Sequence, residues 1–404
     1  MRTALVILCV WLAVGCDRSA SDSAREPTPP AAALPPQPTT EPAAAQPSAP
    51  GDLRPVFPLR IDGTRFVDAA SRPFEWRGIT AFRLAEMIAS GREAEAAAYL
   101  DWAASENLTV VRVLLMAKHL FELSPDRGRA ALPRLLDLAK ARGLAVEAVA
   151  LADTKEYTFD FDAHVREIGR VALEKGNAFV ELANEPGHPT QDERVHDPAT
   201  LKRLAGLIPE PVIVALGSIE YGEGFRDADY VTTHVARGEE PWDHVLNIAR
   251  HAAALGKPLV SDEPIGAAPR HEPGRRDNDP ARFAAAAALT RLAGMEATFH
   301  YEGGLQANIP EGREAACLAA WQTGLLLVGE PNIEETFVQG SAIDRVARVS
   351  GARATFARMG ERSATLLLLD PQTPKVQWAD GWREARRSGV PGLLLISAVR
   401  ADQF

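Results

Sequence analysis

Helical and strand-like segments alternate along most of this chain, and the alternation limits the possible folds more than any other feature. A helical segment at residues 92–107 precedes the apolar run LTVVRVLLM, and another at residues 129–143 precedes LAVEAVAL. The pattern continues through NAFVELAN, PVIVALG, YVTTHVA, KPLVSDE and ATFHYEGG. Such near-continuous apolar runs are typical of parallel strands that are covered on both faces. Counted from Phe74, the pattern predicts eight strands with helices between them.

Eight strand–helix units need about 250 residues in a typical (β/α)8 barrel, and the alternating region has that size. One link is weak, because SIEYGEGFRDAD is too short for a regular helix. A doubly wound open sheet is the alternative, but no glycine-rich phosphate turn follows the first strand, FEWRGIT. We therefore predict a (β/α)8 TIM barrel over residues 54–338, entered through a β-hairpin in LRIDGTRFVDAASRPF.

Beyond the barrel the sequence changes to short alternating runs separated by turn residues. The runs are RVARVS, RATFARM, ATLLLLDP, KVQWADG and GLLLISAVR. This pattern is typical of antiparallel strands. It predicts a small C-terminal β-domain of five strands over residues 339–404, packed on the barrel.

The first 53 residues look like an export signal followed by a tether. MRTALVILCVWLAVGC combines a basic start with an apolar run too short to span a bilayer, and its ending resembles a bacterial lipobox. That resemblance implies cleavage before Cys16 and lipidation of Cys16; an ordinary signal peptide is the alternative. Residues 17–53, rich in Pro, Ala, Ser and Thr, predict a disordered linker. We expect a lipid-anchored protein of the bacterial cell envelope, in the periplasm or on the outer surface.

Charge and cysteine content exclude two classes of protein. The net charge is −10, and nucleic-acid binding requires clustered Lys and Arg, so we expect no nucleic-acid partner. Of the three cysteines, Cys9 would leave with the signal and Cys16 would carry lipid. Cys317 lies in an Ala-rich helical stretch and is predicted to be buried. A disulfide framework is therefore not expected.

Polar residues gather where the predicted strands end. Active sites of (β/α)8 barrels form at the C-terminal ends of the strands, so these positions are candidates for chemistry. Two carboxylates, Glu185 and Glu263, follow strands four and seven, on opposing sides of the predicted ring. Such a pair can act on one bond: in retaining glycosidases, carboxyl groups about 5 to 5.5 Å apart protonate the leaving oxygen and attack the sugar carbon. The other candidates at strand ends are Arg112, Asn184, His234, Asp262, His300, Tyr301 and Glu302.

Four motifs resemble the clan-A glycoside hydrolases, in particular the cellulase-like family 5. They are ANEP after strand four, KPLVSDEPIG through strand seven, VRVL on strand two and FEWRGIT on strand one, and the resemblance covers about residues 56–330. It implies a cofactor-free retaining hydrolase of a β-linked oligo- or polysaccharide. Glu185 would be the acid/base, Glu263 the nucleophile and Asn184 a donor to the sugar 2-hydroxyl. Arg112 would keep the nucleophile ionised.

The chain also departs from this family. Relatives carry His-x-Tyr on strand six, whereas His234 is followed by Val235 and Ala236. The usual His after strand three and Trp after strand eight are missing, so Tyr301 or His300 would have to stack on the sugar. Trp242, at the start of the helix after strand six, is predicted to lie on the cleft side. Together with Asn184 and Arg112, the predicted substrate-binding residues are His234, Tyr301 and Trp242.

Three alternatives remain at this level. Asp262 competes with Glu263 for the role of nucleophile. A metal site in EPGHPTQDERVHD is not favoured, because the spacing of its His and acidic residues matches no known metal motif. A carbohydrate-binding or scaffold protein that kept the barrel and lost turnover is the alternative function. The expected partners are a carbohydrate and, through the lipid, a membrane; the oligomeric state stays open.

Overall fold

The computed structural model describes residues 54–234, 255–264, 278–332 and 334–401. These residues belong to one compact unit, Asp52–Phe404. The predicted signal peptide and linker, Cys16, and Trp242 with the helix predicted around it lie outside the described residues. Within the described ranges, we find no helix with the length and apolar character needed to cross a bilayer.

The predicted hairpin and eight-stranded barrel are both confirmed. Strands β1 (Arg60–Asp62) and β2 (Arg65–Val67) form the antiparallel hairpin. Eight parallel strands follow, and their apolar residues are buried on both faces, as the near-continuous runs indicated. They are β3 (Arg77–Thr80), β4 (Val110–Leu114), β5 (Ala145–Leu151), β6 (Ala178–Ala183), β7 (Ile213–Ala215), β8 (Val231–His234), β9 (Leu259–Glu263) and β10 (Glu296–Phe299).

The order of the strands in this sheet is β7-β6-β5-β4-β3-β10-β9-β8. A parallel bridge between Ser218 and Thr232 joins the end of β7 to β8 and completes the ring. Because all eight strands run in the same direction, their C-terminal ends meet at one mouth. The strand ends that the sequence marked as polar therefore surround a single opening.

Seven described helices accompany the strands. Side chains cap several of them: Asp160 accepts from the amide of Ala163 at the start of α4, and Gly176 ends that helix with a φ of 74°, a conformation that favours glycine. Between β7 and β8 the chain forms only 3₁₀ turns, at Ile219–Tyr221 and Glu223–Arg226, as the short link predicted. The helices are α1 (Leu84–Ala89), α2 (Glu93–Ser105), α3 (Pro125–Lys140), α4 (Phe161–Lys175), α5 (Pro198–Ala205), α6 (Pro280–Leu292) and α7 (Gly312–Val328).

An aromatic floor closes the barrel at the end opposite the mouth. Phe66 of the hairpin packs on Trp76 and Phe179, with ring centroids 5.4 and 5.1 Å apart, and on Tyr230 at 5.8 Å. All four side chains are 0 or 1% exposed. The hairpin therefore closes the barrel at the N-terminal ends of its strands. Among the described residues, the barrel opens at the C-terminal ends of the strands, which form the mouth.

The C-terminal region contains seven strands, whereas the sequence predicted five. The two extra strands are β11 (Thr336–Gln339) and β16 (Trp382–Val390), both at edges of the sheet order β11-β13-β14-β17-β16. Their polar, half-exposed sequences lack the alternation on which the prediction relied. The other strands are β12 (Ala347–Ser350), β13 (Ala354–Met359), β14 (Ser363–Leu369), β15 (Lys375–Trp378) and β17 (Leu393–Arg400).

This sheet shares a hydrophobic core with the barrel. Leu289 and Leu292 of α6 are buried in one cluster with Phe356, Leu367 and Leu395 of the sheet. Arg358, on β13, reaches the end of α6 and donates to the carbonyl oxygens of Leu292 and Ala293. The sheet therefore covers an apolar face of the barrel wall and does not line its mouth.

Candidate functional site

Four barrel strands bring the predicted site residues to the mouth. Arg112 lies within β4, Glu185 follows β6, His234 ends β8 and Glu263 ends β9. The side chain of Glu185 is 34% exposed, and that of Glu263 is 9% exposed. A ligand entering the mouth would therefore meet Glu185 first, with Glu263 deeper in the site.

The two predicted catalytic carboxylates face each other. An oxygen of Glu185, an oxygen of Glu263 and a ring nitrogen of His234 all lie within 4.8 Å of one another. Paired carboxyl groups stand about 5 to 5.5 Å apart in retaining glycosidases and about 6.5 to 9.5 Å apart in inverting ones. These oxygens are closer than the carboxyl groups of inverting glycosidases, so the pair has the short spacing that direct attack by one carboxylate requires.

Arg112 lies at the centre of a buried cluster of acids. Its Nη1 donates to Glu263 Oε1 at 2.6 Å, and its Nη2 donates to Glu181 Oε2 at 2.7 Å and to Asn184 Oδ1 at 3.0 Å. Its Nε lies 3.5 Å from Glu147 and 3.4 Å from Asp262. The guanidinium is fully buried and contacts four carboxylates, so it both fixes the position of Glu263 and offsets negative charge that no solvent screens.

Two members of this cluster were missed by the sequence analysis. Glu147 on β5 and Glu181 on β6 are fully buried inside the barrel. Burial and the charge of Asp262 raise both carboxyl pKa values, that of Glu181 to about 7, although Arg112 opposes both shifts; the charge of Glu181 also raises the pKa of Glu147. The hydroxyl of Tyr230 donates to Glu147 at 2.8 Å. Each Glu interrupts an apolar strand, LAVEAVAL or NAFVELAN, and that interruption was the available signal.

His234 sits between the carboxylates. Its Nδ1 lies 3.7 Å from Glu185 Oε1 and 3.7 Å from Glu263 Oε2, and its Nε2 lies 3.5 Å from Asp262 Oδ1. Burial alone would lower the pKa of the imidazole, but the charges of Glu263 and Asp262 raise it well above its usual value. The surrounding charges therefore favour the protonated, imidazolium form of His234.

Glu185 has two unusual properties. Burial raises the pKa of its carboxyl, but the positive charge of the nearby His234 ring, with Nδ1 3.7 Å away, outweighs that effect, and the pKa is lowered overall. Its backbone has a φ of 43°, in the left-handed region that non-glycine residues seldom adopt. Strain of this kind is common at functional sites, where the surrounding structure compensates for it.

The structure separates the two candidates for the nucleophile. Asp262 is fully buried, with its oxygens directed at Arg112 and His234. Glu263 is next to it in sequence, but its carboxylate faces Glu185 at the mouth. Because a nucleophile must reach the substrate, Glu263 fits that role and Asp262 fits a supporting one.

Tyr301 was predicted to contact a sugar, and the structure corrects this. Its side chain is 2% exposed, its ring stacks on Phe299 at 5.0 Å, and its hydroxyl is bonded to Tyr99 and to the carbonyl of Asn308. It is a packing residue between the barrel and the helices. His300 instead faces the barrel interior, with Nε2 3.8 Å from Glu263 Oε2 and Nδ1 2.9 Å from the hydroxyl of Thr80.

Tyr221 is an aromatic residue at the mouth that the sequence analysis did not select. It is 39% exposed and lies against Gly187, where an added Cβ would come within 2.3 Å of its ring. Burial and the nearby charges of Glu185 and Glu263 raise the pKa of its hydroxyl. Because it belongs to a 3₁₀ turn without periodicity, nothing in the sequence marked it.

Some of these side chains lie close enough together to bind one metal ion. Among the described residues, two groups have ligand atoms within 4.8 Å of one another: Glu181, His234 and Asp262, and Glu185, His234 and Glu263. The guanidinium of Arg112 and the imidazolium of His234 already supply positive charge to these carboxylates. The arrangement is therefore that of an ion-pair cluster. In the motif EPGHPTQDERVHD, which was considered as a metal site, Asp192 pairs with Arg194 at 2.8 Å.

Comparison with known proteins supports the barrel at the level of fold. No protein-family model and no curated protein matches the chain. A solved glycoside hydrolase superposes with a TM-score of 0.61 at 12% identity, covering 87% of this chain and 99% of its own. A family 5 glycoside hydrolase from Bacteroides vulgatus gives a TM-score of 0.57 at 12% identity, with coverages of 85% and 94%. A β-glucanase from Saccharophagus degradans, solved with cellotetraose, gives 0.50 at 12% identity, with coverages of 68% and 94%. The predicted resemblance is confirmed for the fold: this chain has the (β/α)8 barrel found in these glycoside hydrolases.

Proposed function

We propose that this protein is a retaining glycoside hydrolase that cleaves a β-linked oligo- or polysaccharide by double displacement and is anchored to a bacterial membrane by lipid. The observation that carries the proposal is the approach of Glu185 and Glu263 to within 4.8 Å at the mouth of the barrel. That spacing suits a nucleophile and an acid/base acting on one glycosidic bond. The likeness to a β-glucanase solved with cellotetraose supports a carbohydrate as the substrate.

Each residue has a role in the proposed reaction. Glu263, fixed by Arg112 at 2.6 Å, attacks the anomeric carbon, while Glu185 protonates the departing oxygen. Water then enters, Glu185 removes its proton, and the water oxygen bonds to the anomeric carbon as the bond from that carbon to Glu263 breaks. Asn184, held by Arg112 at 3.0 Å, is placed to donate to the sugar hydroxyl next to the reacting carbon. No step uses a cofactor.

The test is turnover of aryl β-glycosides and polysaccharides by the soluble body starting at residue 52. We expect Glu185→Gln and Glu263→Gln each to lower hydrolysis by about a thousandfold or more, since each removes a group that acts in the transition state. Circular dichroism and thermal unfolding check that both variants fold. Azide added to Glu263→Gly should give a glycosyl azide of inverted configuration. Full activity in either Gln variant refutes that residue's role.

A binding protein without turnover is the second candidate, and one observation favours it. The lowered pKa of Glu185 is the opposite of what a general acid needs. Under this alternative, the wild type would bind oligosaccharides in calorimetry and hydrolyse none of them. Glu185→Gln would then leave the affinity nearly unchanged.

A further inference from the structure

His234 is fixed so that its ring faces both catalytic carboxylates. Its backbone amide donates to Ser218 Oγ at 3.1 Å and to Glu220 Oε2 at 3.1 Å. The hydroxyl of Thr233 also bonds to Glu220. These contacts anchor the end of β8, and Asp262 Oδ1 lies 3.5 Å from Nε2 on the buried side of the ring. The anchored backbone therefore places the imidazole between Asp262 and the two carboxylates at the mouth.

The ring is surrounded by an excess of negative charge. The carboxylates of Glu185 and Glu263 each lie 3.7 Å from Nδ1 of the ring. On the opposite side of the ring, the buried Asp262 lies 3.5 Å from Nε2. The guanidinium of Arg112 is shared among four carboxylates and cannot neutralise them all. A proton on His234 therefore offsets charge that would otherwise stay unbalanced in the barrel. Within the described ranges, the titratable and charged groups that face His234 or its partners include Glu181, Glu185, His188, Glu220, Tyr221, Asp262, Glu263, Arg112 and His300.

This arrangement raises a difficulty for the proposed reaction. A general acid must be protonated before the bond breaks, yet His234 lowers the pKa of Glu185 and so favours its ionised form. The proton that Glu185 needs is nevertheless nearby, because Nδ1 of His234 is 3.7 Å from Glu185 Oε1. A small movement of either side chain would bring them into hydrogen-bond contact.

We propose, building on the proposed hydrolase function, that His234 stores the proton that Glu185 delivers to the leaving oxygen, and that Asp262 positions His234 for this transfer. His234 acts through Glu185 and is a positioning residue. In the first displacement, the Nδ1 proton passes to Glu185 and on to the leaving oxygen. At the same time the bond between C1 and that oxygen breaks and the bond between C1 and Glu263 forms. In the second displacement, the oxygen of the attacking water forms a bond to C1 as the bond between C1 and Glu263 breaks, and a proton of that water passes to Glu185 and back to His234.

The charge balance explains why the proton leaves at the right moment. Esterified Glu263 no longer carries the negative charge that helps to keep His234 protonated. As the ester forms, the affinity of His234 for its proton falls, and the proton is released toward Glu185. When water regenerates the carboxylate of Glu263, that affinity is restored. The cluster has the same net charge before and after each displacement.

The first test uses leaving groups that differ in their need for a proton. We compare phenyl and 2,4-dinitrophenyl glycosides of the sugar that the wild type hydrolyses, because dinitrophenolate departs without protonation. At pH 8, His234→Asn should lower kcat/KM for the phenyl glycoside by about tenfold or more, and by less than about threefold for the dinitrophenyl glycoside. The basic limb of the pH profile should move down by about one unit or more. A purely structural defect would lower kcat/KM for both substrates by the same factor.

The second test does not depend on activity. Nitrogen-15 NMR of the soluble body reports whether each imidazole is charged, and the signal that His234→Asn removes belongs to His234. We expect an imidazolium at pH 7.5, where an ordinary histidine with a pKa of about 6.5 is mostly neutral. Asp262→Asn should make the ring neutral at a lower pH than in the wild type. If His234→Asn folds poorly, His234→Gln serves for both tests.

His119→Asn is the matched control. The Nε2 of His119 lies 3.7 Å from Glu156 Oε1, a similar His–Glu spacing, but its side chain is 50% exposed. This variant should change neither the leaving-group dependence nor the pH profile. A neutral His234 at pH 7.5, or an unchanged basic limb in His234→Asn, overturns the inference even if hydrolysis is found. An imidazolium in a protein that hydrolyses no glycoside confirms the stored proton and refutes the hydrolase.

Discussion

At the scale of single residues, acids buried inside the barrel explain how the site controls its charge. Glu147 and Glu181 lie beneath the proposed catalytic pair and share Arg112 with Glu263. A buried carboxylate near other carboxylates binds a proton more tightly than it would in water. These residues therefore adjust the number of protons in the barrel while Glu263 stays paired with Arg112.

This arrangement predicts how stability depends on pH. The pKa of Glu181 rises from 4.5 to about 7 on folding, so between these values the folded state keeps a proton that the unfolded chain releases. The contribution of Glu181 to the free energy of unfolding is fully present below pH 4.5 and is lost as the pH rises through about 7. We expect Glu181→Gln to reduce the fall in the free energy of unfolding over this window, by up to about 3 kcal/mol.

Urea titrations at pH 4.5 and pH 8 measure this effect. Glu174→Gln is the control, because Glu174 is 56% exposed on α4 and should leave the pH dependence of the wild type unchanged. An equal fall with pH in Glu181→Gln and in the wild type would show that Glu181 does not hold the proton.

At the scale of elements, the C-terminal sheet is joined to the barrel wall through Arg358. Besides the two carbonyls at the end of α6, its guanidinium donates to those of Asn332 and Glu335, at 3.0 and 2.8 Å. The side chain thus supplies hydrogen-bond donors to the carbonyl oxygens at the end of α6, and it fixes the segment that leads into β11. An edge of the sheet and an end of the barrel depend on the same residue.

Replacing Arg358 should loosen this connection. Arg358→Met keeps the apolar stem but removes a donor from four carbonyl oxygens, of which that of Asn332 still accepts from the amide of Glu335, so we expect a loss of about 3 kcal/mol in unfolding free energy. Thermal unfolding followed by circular dichroism measures it. Arg353→Met is the control on the same sheet, because Arg353 is 52% exposed and its ion pair with Asp370 spans 3.7 Å. A change below about 0.5 kcal/mol in Arg358→Met would refute the role of these bonds.

At the scale of the whole molecule, the proposed lipid anchor is tested by fractionation. We expect the full chain, made in a bacterium that processes lipoproteins, to sediment with membranes and to be released by detergent but not by salt. Cys16→Ser should abolish incorporation of labelled fatty acid and this detergent-dependent release. Cys317→Ser is the control, because Cys317 is buried in α7 and should not affect fractionation. Labelling of Cys16→Ser equal to that of the wild type would contradict the anchor.

The sequence was sufficient to predict the barrel and the ends of its strands, because helical and strand periods differ and burial on two faces leaves a clear apolar run. It was not sufficient to predict which side chain of a strand end faces the mouth. Tyr301 and His300 are neighbours in sequence, and successive side chains of a strand point to opposite sides. Tyr301 packs with Phe299 toward the helices, whereas His300 points at Glu263. The prediction therefore selected Tyr301, which is a packing residue, one position after His300, which lies in the site.

The cluster beneath the site shows another limit. Glu147, Glu181 and Tyr230 are far apart in sequence, and only the closed ring brings them to the same guanidinium or to each other. Each Glu stands out in its apolar run, but the pattern does not say whether it pairs with an Arg, binds a ligand or lies at a strand edge. Closure of the ring decides this, and closure depends on contacts between β7 and β8 that have little sequence signal.

The left-handed backbone of Glu185 has a consequence for protein engineering. Glycine or asparagine would suit a φ of 43° better than glutamate does, so either substitution should relieve strain. A directed-evolution campaign that rewards heat resistance alone would then discard the residue to which we assign acid/base catalysis. Variants recovered that way would be more heat-resistant and, under the proposed function, inactive.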